Sequence, residues 1–178
     1  WSVAFSPDGT RIVAGGGRNS KGIGDRATVW DARSGKVLLE LTNNKKTLSV
    51  SFSPDGQRIL TGNADATATV WDASTGNLLL ELKGHQGAVT SAAFSPDGTR
   101  IVTGGADRTV KVWDVRTGTA LVELKGHASA VKCVSFNRGG TRIVSVGGEP
   151  GKTGEALVWG WLLSTSPSPR DQACTWMP

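Results

Sequence analysis

An eight-residue motif occurs four times along the chain and constrains its fold more than any other feature. It reads FSPDGTRI from Phe5, FSPDGQRI from Phe52, FSPDGTRI from Phe94 and FNRGGTRI from Phe136, at intervals of 47, 42 and 42 residues. A second motif, TVWDA, TVWDA, KVWDV or LVWGW, follows each copy. Repetition at a fixed period of about 20 to 50 residues is typical of chains whose supersecondary units stack on one another. We therefore predict four stacked units.

Each unit is predicted to contain four short antiparallel strands. In the third unit the strand patterns are VTSAAFS, RIVTGGA, TVKVWDV and ALVELKG, with PDG and RTG as turns. At such turns Pro fixes φ, Asp bonds its own backbone and Gly accepts a left-handed conformation. Both faces of the resulting sheet are apolar, so each sheet must be covered by its neighbours. The expected fold class is all-β.

The same residues show which family the chain resembles. Gly84-His85 and Gly126-His127 resemble the glycine-histidine pairs of the WD-repeat β-propellers, and Trp30-Asp31, Trp71-Asp72 and Trp113-Asp114 resemble their tryptophan-aspartate pairs. The near-uniform FSPDG motifs look like those of bacterial WD-repeat proteins. The resemblance implies a propeller segment of about four blades. Because propellers of this family usually close with more blades, we expect an open or incomplete propeller.

The expected WD-repeat segment extends over residues 1–161, and a tail follows it. The units span about 1–42, 43–83, 84–125 and 126–161. Residues 162–178 are rich in Pro and Ser and match no repeat, so we interpret them as an irregular tail, either a non-native end or a native disordered linker. Apolar blade faces are expected to be exposed at both ends of the segment. Self-association through these faces is therefore an expected mode of assembly.

The resemblance also implies a buried hydrogen-bond network in each blade, formed by Asp, His, Ser or Thr, and Trp. The third unit has a residue of the right type at every position, and the second and fourth units have partial sets. The full set is His85, Thr103, Asp107 and Trp113; the partial sets are Thr61, Asp65 and Trp71, and His127, Ser145 and Trp159.

Three units depart from this pattern. Asn44 stands where the second unit should have His, and Ala14 occupies the hydroxyl position of the first. The fourth unit has Thr153 at the spacing of the Asp, with Glu155 as an alternative. We therefore predict weaker networks in these three units.

Two patterns that suggest catalysis have better structural explanations. Asp, His and a hydroxyl also form hydrolase triads, but here Thr103 would bond the Trp113 indole and face no substrate. The Gly-Lys-Thr at 151–153 would belong to a phosphate loop only if position 146 were Gly, and it is Val146. We interpret 147–155 as a lengthened connection between strands. No catalytic, cofactor or metal site is predicted.

One face of the propeller is the expected binding surface. In the family geometry, the loops between second and third strands share a face with the connections between blades, and both insertions, 16–26 and 147–155, lie there. The candidate binding residues are Arg18, Lys21, Arg26, Lys45, Lys46, Gln86, Arg108 and Lys152. Their charges favour an acidic or phosphorylated segment of a protein as partner. The alternative is that the charges only keep glycine-rich surface loops soluble.

An Arg residue follows the first turn of every unit, on the opposite face. These residues are Arg11, Arg58, Arg100 and Arg142. A basic row of this kind suits a phosphate backbone, but no aromatic residues accompany it for base stacking. We expect each Arg to cover apolar surface with its stem while its head remains in water. Nucleic acid is therefore the less favoured partner.

Composition adds little to these expectations. The net charge of +5 is spread along the chain, with no run of more than two Lys or Arg. No membrane span or signal peptide is visible, so no membrane partner is expected; the compartment is not fixed, and the cytoplasm is favoured. Cys133 and Cys174 lie far apart and are expected to be unrelated thiols.

The sequence predicts a non-enzymatic scaffold for protein–protein interaction, as part of a larger WD-repeat protein. Both His residues of the chain fall in the expected networks, which leaves little material for catalysis. The alternatives are a propeller-based enzyme and a nucleic-acid-binding module.

Overall fold

Four antiparallel sheets make up the fold. The computed structural model describes residues 2–16, 26–42, 45–149 and 154–160, and these ranges contain fifteen strands and no helix. The first sheet consists of β1 (Ser2–Phe5), β2 (Arg11–Gly15), β3 (Ala27–Asp31) and β4 (Val37–Leu41). The second consists of β5 (Thr47–Phe52), β6 (Arg58–Asn63), β7 (Thr67–Asp72) and β8 (Leu78–Lys83).

The third sheet repeats this order, and the fourth has three strands within the described residues. The third consists of β9 (Val89–Phe94), β10 (Arg100–Gly105), β11 (Thr109–Asp114) and β12 (Ala120–Lys125). The fourth consists of β13 (Val131–Phe136), β14 (Arg142–Gly147) and β15 (Glu155–Gly160). The predicted all-β class and the four sheets are confirmed. Along the described ranges, no helix is long and apolar enough to cross a membrane.

The sheets form an open arc. Their first strands lie side by side, since β1 contacts β5, β5 contacts β9, and β9 contacts β13. Within the described residues, the first and fourth sheets do not pack on one another. This arrangement is that of an open propeller of about four blades, as predicted. The expected irregular tail, 162–178, lies outside the described residues.

The core is divided among the interfaces between neighbouring sheets. We call the side that a sheet turns to the preceding sheet its leading face, and the side that it turns to the following sheet its trailing face. In the first interface, Val13 and Val29 on the trailing face of the first sheet belong to one buried cluster with Val50, Ile59 and Trp71 of the second. Apolar burial between sheets is therefore what holds the blades together.

The FSPDG turn is closed by its own side chains. The Ser6 hydroxyl donates to Asp8 Oδ1 at 2.5 Å, and the Arg11 amide donates to Ser6 Oγ at 2.9 Å. The hydrogen bonds that Asp8 accepts from the Ser6 hydroxyl and the Thr10 amide lower its pKa to about 2. In the divergent fourth motif, Asn137 Oδ1 accepts from two backbone amides at 2.8 and 2.9 Å, so the turn is kept without Asp.

The Arg that follows this turn has a role that the sequence analysis did not predict. The Arg11 guanidinium donates to the carbonyls of Gly56 and Ala73, each at 2.7 Å, and its Cζ lies 5.4 Å from the centroid of the Phe52 ring. All three residues belong to the second repeat. The expectation of a head that remains in water is therefore wrong for Arg11, which joins two neighbouring blades. Arg100 Nη1 is likewise buried.

Candidate functional site

The third sheet contains a continuous chain of four hydrogen-bonded side chains. His85 precedes β9, Thr103 lies in β10, Asp107 lies in the β10–β11 turn, and Trp113 lies in β11. His85 Nδ1 is 2.9 Å from Asp107 Oδ2, and His85 Nε2 is 2.7 Å from Thr103 Oγ1. The Trp113 indole donates to the same hydroxyl oxygen at 2.8 Å. The chain of contacts therefore ties the connection between two blades to the two middle strands of the third.

The protonation of this network follows from its geometry. With Asp107 ionised, His85 donates from Nδ1 and accepts the Thr103 hydroxyl proton at Nε2. Burial lowers the pKa of His85, and the carboxylate of Asp107 opposes this only in part. Burial acts to raise the pKa of Asp107, but the Gln86 amide, His85 and Thr109 outweigh it and hold that pKa below its usual value. A neutral imidazole beside a carboxylate results.

The Thr103 hydroxyl of this network is not placed to act as a nucleophile. Thr103 is fully buried, and its oxygen already contacts both the imidazole and the indole. A hydrolase nucleophile needs an open path to a bound substrate. The arrangement therefore stabilises the blade.

The fourth sheet has a complete network of the same kind. His127 Nδ1 lies 2.9 Å from Glu155 Oε1, and His127 Nε2 lies 2.7 Å from Ser145 Oγ. The Trp159 indole donates to that hydroxyl at 2.7 Å. Of the two alternatives in the sequence, Glu155 takes the place of the Asp, and Thr153 lies outside the described residues. The network expected to be partial is therefore complete, because the longer Glu reaches His127 from two positions further along the chain.

In the second sheet, Asn63 takes the space of the missing His. Its Nδ2 donates to Thr67 Oγ1 at 3.1 Å and to Thr69 Oγ1 at 3.0 Å, and the side chain is fully buried. Asp65 accepts the Thr67 hydroxyl at 2.6 Å, while the Trp71 indole donates to Thr61 Oγ1 at 3.1 Å. The network is thus divided into two parts.

A comparison of the sheets explains this exchange. The residue at the register of Asn63 is Gly105 in the third sheet and Gly147 in the fourth. A Cβ atom at Gly105 would lie 2.5 Å from His85 Nδ1, and one at Gly147 would lie 2.8 Å from His127 Nδ1. His and a side chain at this register therefore exclude one another. The sequence signal for this exchange is that the second repeat has lost both residues, with Asn44 in place of the His and Asn63 in place of the Gly. Asn44 itself lies outside the described residues.

The first sheet has no such network. Ala14 provides no hydroxyl, and in the described part of the chain the indole of Trp30 has no hydrogen-bond partner. Trp30 is partly exposed on the leading face.

Two of the candidate binding residues are engaged in ion pairs within the blades. Lys45 is 21% exposed, and its ammonium group lies 2.9 Å from Asp65 Oδ2 and also pairs with Glu81. Arg26 Nη1 lies 3.1 Å from Glu40 Oε2. Two carboxylates already neutralise Lys45 within the blade, and its role in binding a partner stays a prediction.

These ion pairs follow a pattern across three sheets. The outer strands of these three sheets carry a Glu at the same register, and in each sheet it pairs with a cation from a different position. The pairs are Arg26 with Glu40, Lys45 with Glu81, and Lys111 with Glu123. The cation comes from the residue just before the third strand, from the connection before the first strand, or from the third strand itself. Glu81 and Glu123 also pair with Lys83 and Lys125. Basic residues in the loops thus serve partly to balance this Glu.

We call the surface formed by the loops between second and third strands and by the connections between blades the loop face. Three candidate residues remain exposed on it. They are Lys46, Gln86 and Arg108. Arg108 lies in the β10–β11 turn at φ 67°, and its Nη1 donates weakly to the Ala128 carbonyl at 3.4 Å. Gln86 donates its backbone amide to Asp107 at 2.8 Å, which leaves its side chain outside the network. The other candidates, Arg18, Lys21 and Lys152, lie outside the described residues.

Other features of the described ranges offer no catalytic centre. No group of three or more His, Cys, Asp or Glu side chains there is arranged to hold a metal ion. A shallow cavity of about 230 Å³ lies between the second and third sheets, lined by Arg58, Val70, Leu79, Leu80, Val115 and Arg116. Its lining contains no nucleophile and no group suited to general acid–base catalysis.

Comparison with models of known families identifies the same repeats. The model described as WD domain, G-beta repeat matches residues 1–21, 35–72, 76–114 and 118–159, which together make up more than half of the chain. A search of the curated proteins found no match. The second to fourth matches each begin just before an outer strand, β4, β8 or β12, and end at or just after the Trp of the next sheet. Each sequence repeat therefore spans two neighbouring sheets.

Proposed function

Since the chain belongs to the WD-repeat family, whose members generally mediate protein–protein interactions and are typically non-enzymatic, we propose that it is a non-enzymatic interaction scaffold. The observation that carries this proposal is the closure of the networks. The hydroxyls of Thr103 and Ser145 are fully buried and each contacts both a His and a Trp. The side chains with catalytic potential thus contribute to stability, and the exposed loops remain for recognition.

The loop face is the proposed binding surface, for an acidic or phosphorylated segment of a protein partner. Lys46 and Arg108 are exposed cations of the second and third repeats, and Gln86 adds an exposed amide between them in sequence. Guanidinium and ammonium groups form charge-assisted hydrogen bonds with carboxylates and phosphates. Arg18, Lys21 and Lys152 belong to the same proposal from the sequence, whereas Lys45 and Arg26 contribute mainly to the blades.

A titration followed by NMR tests this surface. The probe is a short peptide with one phosphoserine among Gly, Ser and Glu residues, and its unphosphorylated form is the reference. We expect saturable shifts of the Lys46, Gln86 and Arg108 amides that weaken with added salt. Lys46→Glu/Arg108→Glu should weaken binding by about thirtyfold or more, because each of the two lost charged hydrogen bonds contributes about 1 kcal/mol or more.

A matched control changes the same charge on the opposite face. Arg33 and Lys36 are exposed in the β3–β4 turn, so Arg33→Glu/Lys36→Glu alters the net charge equally. This variant should bind like the wild type. Equal weakening by both double variants would show that only net charge matters, and unchanged binding by Lys46→Glu/Arg108→Glu would refute the proposed surface.

A further inference from the structure

The three interfaces between sheets share one hydrogen bond. In each interface, a Ser on the trailing face lies in the first strand of its sheet. Its hydroxyl oxygen accepts a hydrogen bond from a backbone amide in the first strand of the next sheet. The pairs are Ser2 with the Val50 amide, Ser49 with the Ala92 amide, and Ser91 with the Val134 amide, each at 3.1 Å. The bond fixes how one blade is placed on the next.

A glycine lies across from each of these serines in the second strand. The pairs are Ser2 with Gly15, Ser49 with Gly62, and Ser91 with Gly104. A Cβ atom at Gly15 or Gly104 would lie 2.8 Å from a Cγ1 atom of Val50 or Val134, and one at Gly62 would lie 2.9 Å from the Val89 carbonyl oxygen. Carbon atoms in van der Waals contact are about 3.5 to 4.0 Å apart. The following sheet therefore approaches closely only because this residue is Gly.

The fourth sheet has neither residue of this pair. Cys133 stands at the register of the Ser and Val146 at the register of the Gly, and the two lie opposite one another in β13 and β14. Cys133 is exposed, and Val146 is 41% exposed on the trailing face. A thiol is a weaker acceptor than a hydroxyl, and the Val side chain projects where the other sheets leave space. Both changes oppose the approach of another sheet.

The opposite end of the arc keeps the usual residues. Val3 and Phe5 stand at the register of Val50 and Phe52, and they are 67% and 63% exposed on the leading face of the first sheet. Elsewhere in the chain, the corresponding leading face is covered by a trailing face that carries the Ser and Gly pair. The two ends are therefore unequal.

We propose that Cys133 and Val146 oppose the packing of another blade on the trailing face of the fourth sheet, including the first sheet of a second copy. The self-association expected from the exposed faces then cannot proceed by joining the tail of one arc to the head of another. If the first sheet of a second copy packed on this face, its Val3 would occupy the place that Val50 has in the first interface. The Cβ of Val146 would then clash with Val3, as a Cβ at Gly15 would clash with Val50. The proposal is independent of binding at the loop face.

Restoration of the pair in the full chain is the direct test. Cys133→Ser/Val146→Gly should associate at least about tenfold more tightly than the wild type in sedimentation velocity. Cys133→Ser/Val146→Ala is the matched control, because it keeps the Cβ atom and should gain nothing. Addition of Phe5→Glu to the active variant should remove the gain, since it places a charge on the leading face that would be covered. Circular dichroism checks that each variant is folded.

A reverse substitution tests the same idea inside the arc. Gly104→Val installs the fourth-sheet residue in the third interface, and it should increase hydrogen exchange in β13–β15 while β5–β8 stay protected. The proposal is overturned if restoration of Ser and Gly adds no association, if the Ala control gains as much, or if wild-type association already depends on Phe5. Normal protection of β13–β15 in Gly104→Val would also overturn it.

Discussion

His127 and Glu155 form a 2.9 Å contact between Nδ1 and Oε1, although Glu155 stands two positions beyond the site of the corresponding Asp in the third sheet. Glu155 Oε1 also accepts the Ala128 amide at 2.8 Å. The contact with His127 is the main cause that lowers the pKa of Glu155. A carboxylate can thus complete the network from a different strand position when its side chain is one methylene longer.

Replacement of Glu155 should weaken the fourth sheet. We expect Glu155→Gln to lower the free energy of unfolding by about 1 to 2 kcal/mol, because a charged acceptor of several donors becomes neutral. Glu155→Asp keeps the charge but shortens the side chain, and it should be about as destabilising. Urea unfolding measures both. An Asp variant as stable as the wild type would contradict the need for the longer side chain.

Asn63 and the His residues should be mutually exclusive at their shared position. Gly105→Asn in the third sheet is expected to cost about 2 to 3 kcal/mol, because its Cβ would lie 2.5 Å from His85 Nδ1 and closer still to Asp107 Oδ1. In a His85→Ala background the same substitution should cost less, since the imidazole is gone and Asp107 is released from its hydrogen bond to His85. A double-mutant cycle by urea unfolding measures this coupling. Additive effects would show that the two side chains do not compete.

Stability should fall as the pH is lowered from about 7.5 to 5. Burial lowers the pKa of His85 in the folded chain, so as the pH falls the unfolded chain takes up the proton first. The stability that the neutral His85 contributes is complete above the usual His pKa of 6.5. It is lost as the pH falls toward the lower pKa that His85 has in the folded chain. Urea unfolding across this range checks the slope. His85→Ala should have a lower stability at neutral pH and a shallower slope, and an equal slope would assign the effect to other groups.

Arg11 should contribute more to stability than an exposed Arg. Arg11→Lys loses the two 2.7 Å bonds to the Gly56 and Ala73 carbonyls and the contact with the Phe52 ring. We expect a loss of about 2 kcal/mol in the free energy of unfolding. Arg33→Lys in an exposed turn is the matched control and should have little effect. Equal effects would mean that Arg11 does not join the blades in solution.

The repeats predicted the sheets and much of their register. The motifs that begin at Phe5, Phe52 and Phe94 are nearly identical, and turns whose side chains bond their own backbone form wherever that sequence recurs. Position in a repeat is therefore a good guide to strands and turns.

Position in a repeat is a poorer guide to side-chain partners. Asn63, Lys45 and Glu155 each fill a space that a residue from another repeat position fills in a neighbouring sheet. A long side chain can reach the same point from a different strand, and alignment by position does not show this. Arg11 was misjudged because its partners lie 45 and 62 residues away, in the next sheet.

The offset between the sequence repeats and the sheets has a consequence for the gain of repeats by duplication. A match such as residues 76–114 contains the outer strand of one sheet and three strands of the next. Duplication of one such segment copies two part-sheets together with the contacts that already fit them to one another. A duplication with these bounds would multiply the joint between blades, and the new copy would keep its fit to its neighbour.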